Sequence, residues 1–178
     1  MRLVLRFAML AAIVALAGCA ANVQRQGDTQ KLTLSPVAAK RVALDVQGGK
    51  ELLAESTDWT QFQKEWQVGM KEATTAAGMT LVPMDAAMAP NAEATTLVTV
   101  NIKDYRYVTR GSRIAVGMMT GNAWIDADVS FSELPGATPA GRRKYLTTSS
   151  AMQGIAAPMT ETQIRGICDE IMKDVAQK

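Results

Sequence analysis

Few residues of this 178-residue chain could do chemistry, and two carboxylates are the most regularly spaced of them. Asp126 and Asp128 lie two residues apart in a segment that alternates apolar and polar residues, so both side chains point to one face of a strand. Such a pair could bind a hard cation or serve as general acid and base. We favour the simpler interpretation, that both are exposed strand residues paired across the sheet with Arg143. Two carboxylates alone do not supply the roughly six to eight oxygen ligands that calcium takes.

The chain contains no histidine. Histidine is the commonest general base and metal ligand, and it completes every Ser-His or Cys-His nucleophile arrangement. We therefore expect no catalytic residues, no metal site and no cofactor. We also expect that the protein is not an enzyme.

Cys19 is the second group with a definite chemistry. It follows two early arginines, an apolar run from Phe7 to Ala17 and small residues, the order of a secretory signal. The sequence Leu16-Ala17-Gly18-Cys19 resembles the lipobox of bacterial lipoproteins. This resemblance implies removal of residues 1–18 and lipid chains on Cys19. The apolar run is too short to span a bilayer, which takes about 20 residues, whereas two or more acyl chains give lasting attachment.

Cys168 is then left without an intramolecular partner in an oxidising compartment. It falls on the apolar stripe of the last predicted helix, so we expect it to be buried as a small hydrophobic residue. Pairing with another chain is the alternative.

Charge excludes one class of partner. Residues 1–18 hold two of the 19 basic residues and none of the 17 acidic ones, so the rest of the chain has no formal net charge. The only basic cluster is Arg142-Arg143-Lys144. A neutral domain offers no general attraction for phosphate backbones, and we expect no nucleic-acid partner.

Periodicity predicts the elements that position these residues. Residues 20–38 are small and polar, and we interpret 19–38 as the lipidated cysteine with a flexible tether that could reach about 60 Å. Residues 39–178 form one domain, in which three- and four-residue spacing predicts two amphipathic helices and alternation predicts strands. The helices are predicted after Ser56 and after Thr160, and the strands at 41–46, 79–84, 95–107, 122–133 and 143–150. The fold class is α+β, an antiparallel or mixed sheet of about four to five strands covered on one face by two amphipathic helices.

Aromatic and methionine residues mark a candidate interaction surface. Alternation places Val98, Val100 and Ile102 inward, and Tyr105, Tyr107 and Trp124 outward. The connection between these strands adds adaptable methionines, which suit contact with a protein or lipid. The predicted surface consists of Tyr105, Tyr107, Met118, Met119, Asn122 and Trp124. The alternative is that the connection folds back over one end of the core.

Several short elements together are similar to those of a family of uncharacterised lipoproteins of Gram-negative bacteria, known only as a domain of unknown function. They are the lipobox, the Arg41 to Leu44 strand, Asp104 to Tyr107, the Gly-Ser-Arg and Met-Thr-Gly-Asn-Ala segments, and the last helix. The resemblance implies a periplasm-facing lipoprotein with a small α+β domain and supplies no catalytic residues. Because Ala20 and not Asp follows the cysteine, it also implies sorting to the outer membrane.

The sequence thus favours a non-catalytic, membrane-anchored domain that binds another envelope component, a protein or a glycan. A second hypothesis is a carrier or sensor of a small apolar ligand or lipid. Its cavity would lie between helices and sheet and be lined by residues such as Phe62, Trp66 and Ile171.

Overall fold

The computed structural model describes residues 22–48, 56–108, 122–149 and 160–177. The fold is α+β, with one mixed six-stranded sheet in the order β1-β6-β5-β4-β2-β3. The strands are β1 Val23–Gln26, β2 Arg41–Gly48, β3 Thr80–Leu81, β4 Thr95–Arg106, β5 Trp124–Leu134 and β6 Thr138–Thr148. The helices are α1 Ser56–Ala76, α2 Met84–Ala87 and α3 Thr160–Val175. The predicted lipobox with Cys19 lies outside the described residues.

The two long helices confirm the sequence prediction. Three- and four-residue spacing places the apolar residues of each helix on one stripe, and both stripes bury against the same face of the sheet. From α1 the buried apolar side chains are Trp59, Phe62, Trp66, Met70 and Ala73, and from α3 they are Ile164, Ile167, Cys168, Ile171, Met172 and Val175. Gly78 follows α1 with a φ of +70°, a conformation that glycine adopts without steric cost at a helix C-terminus. Among the described residues, no helix is both long and apolar enough to cross a membrane.

The sheet combines parallel and antiparallel pairing. Strands β4, β5 and β6 form an antiparallel meander. Strand β2 pairs in parallel with both β3 and β4, and α1 supplies the crossover between β2 and β3. On the opposite face, the short α2 helps to enclose a small cluster of Ala43, Val82, Ala87 and Leu134. The rest of this opposite face, here called the outer face, carries mainly polar side chains.

Strand β6 begins earlier than predicted. Its first residue is Thr138, whereas the sequence predicted a strand only from 143, so residues 138–142 of the predicted gap between the last two strands are also strand. The pairing shifts between Phe131 opposite Gly141 and Ser132 opposite Pro139. This bulge accommodates a proline within the strand, which alternation alone does not reveal.

The interpretation of residues 19–38 as a flexible tether is wrong for the part that the structure describes, residues 22–38. Residues Val23–Gln26 form β1 and pair antiparallel with β6, which raises the strand count to six. Leu32 is only 3% exposed and belongs to the main core, and the backbone N–H of Thr33 donates to the carbonyl of Ala140. A short polar edge strand shows no apolar alternation, so only its partners, distant in sequence, reveal it.

Candidate functional site

A β-bulge in β4 decides which side chains reach the outer face. Ile102 lies opposite Ala127 and Asp104 lies opposite Asp126, so Lys103 is an extra residue in β4. Side chains alternate with a period of two along a strand, and one extra residue moves every later side chain to the other face. Before the bulge, even-numbered residues such as Ile102 face the helices. After it, the odd-numbered residues do.

Tyr105 and Tyr107 therefore point toward the helices, and their predicted outward placement is wrong. The ring centroids of Tyr105 and Phe62 are 4.4 Å apart, and those of Tyr105 and Trp59 are 5.9 Å apart. Tyr107 meets Phe62 edge to face at 6.2 Å. Burial first, and then the charge of Glu161, raise the pKa of the Tyr107 phenol to about 12. Both tyrosines are half-buried core residues and not an open binding surface.

Trp124 stays half-exposed on the outer face, at the start of β5. Its indole N–H donates to Asp104 Oδ2 at 3.1 Å, and the Arg106 guanidinium carbon lies 5.6 Å from its ring centroid. The bulge brings Asp104 and Arg106 next to Trp124, because it turns both of them to the outer face while the tyrosines turn inward. Asn122 is exposed two residues before Trp124. Met118 and Met119 of the predicted surface lie outside the described residues.

Asp126 and Asp128 share the outer face, as predicted, and both are ion-paired. Lys144 Nζ lies 3.0 Å from Asp126, and Lys103 Nζ lies 3.6 Å from Asp128. The hydrogen bond to Asp126 raises the pKa of Lys144. Within the described part of the chain, no group of three or more His, Cys, Asp or Glu side chains could hold a metal ion. The pair thus has the geometry of charged strand residues balanced by lysines.

Arg143, the expected partner of these carboxylates, lies on the other face. It stands opposite Val129, so its side chain points to the helices and is only 1% exposed. Its Nε lies 3.4 Å from Asp174 Oδ1 near the end of α3, and Nη2 donates to the carbonyl of Gln30. The Tyr145 hydroxyl donates to the other Asp174 oxygen at 2.6 Å, and burial, with this bond, raises the pKa of Tyr145.

Asp174 also pairs with Arg25 of β1, at 2.5 Å. The carboxylate therefore joins the first strand, the last helix and the buried Arg143. We call Arg25, Arg143, Tyr145 and Asp174 the Asp174 cluster. It explains why the N-terminal segment is part of the domain.

A cleft of about 460 Å³ opens on the outer face, across β4, β5 and β6. Its walls carry acidic, basic, amide and hydroxyl groups in close succession. The lining residues with outward side chains are Asn101, Lys103, Asp128, Ser130, Arg142 and Lys144; Gly27 and Asp28 also line the cleft, as do Val129 and Arg143, whose side chains point to the helices. The sequence analysis missed this site, which we call the outer-face cleft. The alternating polar residues of β4 and β5 were its signal, but the contribution of β6 depends on a register that sequence does not give.

The interior gives the ligand-carrier hypothesis no space at the residues named for it. Phe62, Trp66 and Ile171 have no exposed surface and pack within one continuous core. The clefts beside β3 and beside Asn22 are lined by other residues. Cys168 is fully buried, as predicted, and burial raises the pKa of its thiol.

Comparison with known proteins identifies a fold and no family. No protein-family model matches the sequence, and no curated protein matches it. The dodecamers of a single-substitution PelC variant and of PelC, both from Paraburkholderia phytofirmans, are similar in structure, with TM-scores of 0.53 and 0.52 and sequence identities of 10% and 11%. The matches cover 86% and 83% of this chain, and 97% and 96% of the PelC chain.

A hemagglutinin homolog from Helicobacter pylori, described as neuraminyllactose-binding, matches at a TM-score of 0.35 and 12% identity, over 85% of this chain and 86% of its own. That score is too low to carry an argument. At these identities the likeness to PelC concerns the fold alone, and this chain shares the α+β fold of PelC.

Proposed function

We propose that this chain is a lipoprotein anchored through Cys19 in the outer membrane of a Gram-negative bacterium, with its domain in the periplasm. In this proposal the domain binds another envelope component, a protein or a glycan, and catalyses no reaction. The lipobox-like sequence from Leu16 to Cys19 supports the anchor. The outer-face cleft carries the binding role.

Three properties of the outer-face cleft suit a polar partner. The long helices cover the other face of the sheet, so β4, β5 and β6 present the cleft side chains outward. Asn101 and Ser130 offer amide and hydroxyl groups, while Arg142 is exposed and can pair with an acidic group. The carboxylate of Asp128 lies 3.6 Å from the ammonium group of Lys103. Such mixed charge favours specific recognition over general attraction to one sign of charge.

The non-catalytic part of the proposal rests on residue chemistry. The chain lacks histidine, and the two carboxylates best placed for acid-base work, Asp126 and Asp128, are each balanced by a lysine. Cys168, the cysteine of the domain, is buried with a raised thiol pKa, which opposes nucleophilic chemistry.

Labelling with a clickable palmitate analogue tests the anchor. The wild-type protein should take up the label and fractionate with the outer membrane, and Cys19→Ser should do neither. Label retained in Cys19→Ser would contradict the assignment of the lipid to this residue.

Photocrosslinking in cells tests the binding role. A photoreactive amino acid at position 130 in the outer-face cleft should give one dominant adduct, while the same probe at exposed position 61 on α1 should not. Arg142→Glu should abolish the adduct, and Lys64→Glu, the same charge change on α1, should preserve it. Protease treatment of the adduct then distinguishes a protein from a glycan. Equal adducts from both probe positions, or none from position 130, would refute this surface.

A further inference from the structure

The first strand begins very close to the proposed anchor. Only residues 20–22 separate Cys19 from Val23, where β1 starts. A chain spans at most about 3.6 Å per residue, so Val23 lies within about 14 Å of Cys19. Strand β1 is fixed by pairing with β6 and by the ion pair between Arg25 and Asp174. The start of β1 therefore limits how far the domain can stand from its anchor.

The sheet register shows which end of the domain carries Val23. Val23 lies opposite Thr147, Thr148 lies opposite Trp124, and Trp124 lies opposite Arg106. The start of β1, the end of β4, the start of β5 and the end of β6 thus meet at one end of the sheet. We call this the tether end. The hairpin between β5 and β6 is at the opposite end.

The tether end has side chains that suit a lipid headgroup region. Tryptophan favours membrane interfaces because its ring is apolar while its N–H needs a polar partner. Half-exposed Trp124 lies in this position, with its N–H on Asp104. Arg106 is exposed beside the ring, and guanidinium groups bind phosphate well. The carboxylate of Asp104 lies beside this pair, and Asp126, which pairs with Lys144, lies opposite Asp104 on the same face.

Resting on the proposed lipid anchor, we propose that the domain docks with its tether end on the phospholipid headgroups of the membrane that holds Cys19. Trp124 and Arg106 contact the headgroup region, and the hairpin end points away. The residues of the outer-face cleft lie farther from the tether end on β4, β5 and β6, so the cleft stays open to its partner.

Two matched cysteine variants test this orientation. Thr138 and Thr148 are exposed threonines at the first and last positions of β6, about 34 Å apart at about 3.4 Å per residue. Because Cys168 is buried and Cys19 carries lipid, a bimane probe labels only the introduced cysteine of the folded protein. Each full-length lipidated variant is placed in vesicles of phosphatidylethanolamine and phosphatidylglycerol that contain a lipid with a nitroxide on its headgroup.

We expect the nitroxide to quench the probe of Thr148→Cys at least about threefold more than that of Thr138→Cys, given their separation along one strand. Equal quenching at both positions, or stronger quenching at position 138, would overturn the docking. Palmitate labelling of the same preparations separates the two levels of the proposal. Lipid on Cys19 without the quenching difference refutes the docking alone, whereas absence of lipid refutes the anchor and with it the docking.

Discussion

Replacing Asp174 by alanine gives the sharpest test of how this domain holds together. Asp174 accepts from Tyr145 at 2.6 Å and pairs with Arg143, whose side chain is only 1% exposed. In Asp174→Ala, Arg143 still donates hydrogen bonds to the carbonyls of Gln30 and Arg142, but it loses its buried negative partner. Breaking one side of a buried ion pair costs about 3–5 kcal/mol, because the remaining charge stays away from water.

One effect opposes this loss. Asp174 lies in the last turn of α3, where a carboxylate faces the negative end of the helix dipole. Its removal recovers about 0.5 kcal/mol. The free energy of unfolding should therefore fall by about 2.5–4.5 kcal/mol. With a urea slope of about 2 kcal/mol per molar, the unfolding midpoint moves down by about 1–2 M.

Urea unfolding followed by circular dichroism measures this shift, and Glu170→Ala is the matched control. Glu170 pairs with Lys173 at 2.6 Å on the surface of the same helix, and such exposed pairs contribute less than about 1 kcal/mol. Limited trypsin digestion adds a local readout, because Asp174→Ala also frees Arg25 and should speed cleavage in the segment from 25 to 31. A midpoint shift no larger than that of Glu170→Ala would refute the buried-pair reasoning.

Three further predictions concern packing, the thiol and pH. A β-carbon added at Gly48 would lie 2.7 Å from the Trp59 ring, so Gly48→Ala should lower the free energy of unfolding by about 1–3 kcal/mol, whereas Gly136→Ala, in an exposed turn, should cost clearly less in the same urea titration. Cys168 should not react with a thiol reagent in the folded protein and should react at once in urea; rapid reaction without urea would contradict its burial. Folding raises the pKa of Tyr107 from 10.0 to about 12, so the neutral Tyr107 phenol contributes its full share to the free energy of unfolding below pH 10, and this share is lost as the pH rises through 12. Tyr107→Phe should therefore flatten the fall of the urea midpoint between pH 10 and 12. An unchanged slope would count against the raised pKa.

The amphipathic elements could be predicted because their signal is local. The stripe of α3, including Cys168, follows from three- and four-residue spacing, and the alternation in β5 fixes which of its residues face the core. The sequence also identified the α+β class and the shared face of Asp126 and Asp128. The lipobox-like segment predicts a lipid anchor on Cys19, and this stays a prediction.

The candidate site was decided by pairing that alternation does not encode. An unbroken period of two puts Tyr105 and Tyr107 beside Trp124, and the extra residue Lys103 separates them onto opposite faces. The bulge is stabilised because it buries two aromatic rings against Phe62 and leaves the charges of Asp104 and Arg106 near water. A local pattern cannot weigh these effects, since Phe62 is more than forty residues away in the chain.

The same distinction explains the first strand. By itself, the sequence determined which helix stripes and strand faces are apolar, because the hydrophobic effect depends on residue type and on the fixed periods of helix and strand. Only the tertiary structure decided that residues 23–26 join the sheet and that Arg143 turns inward. Strand pairing sets both, and the Asp174 carboxylate then pairs with Arg25 and with the buried Arg143. Charges far apart in sequence stabilise one another only where the fold brings them together out of water, and no local pattern records that meeting.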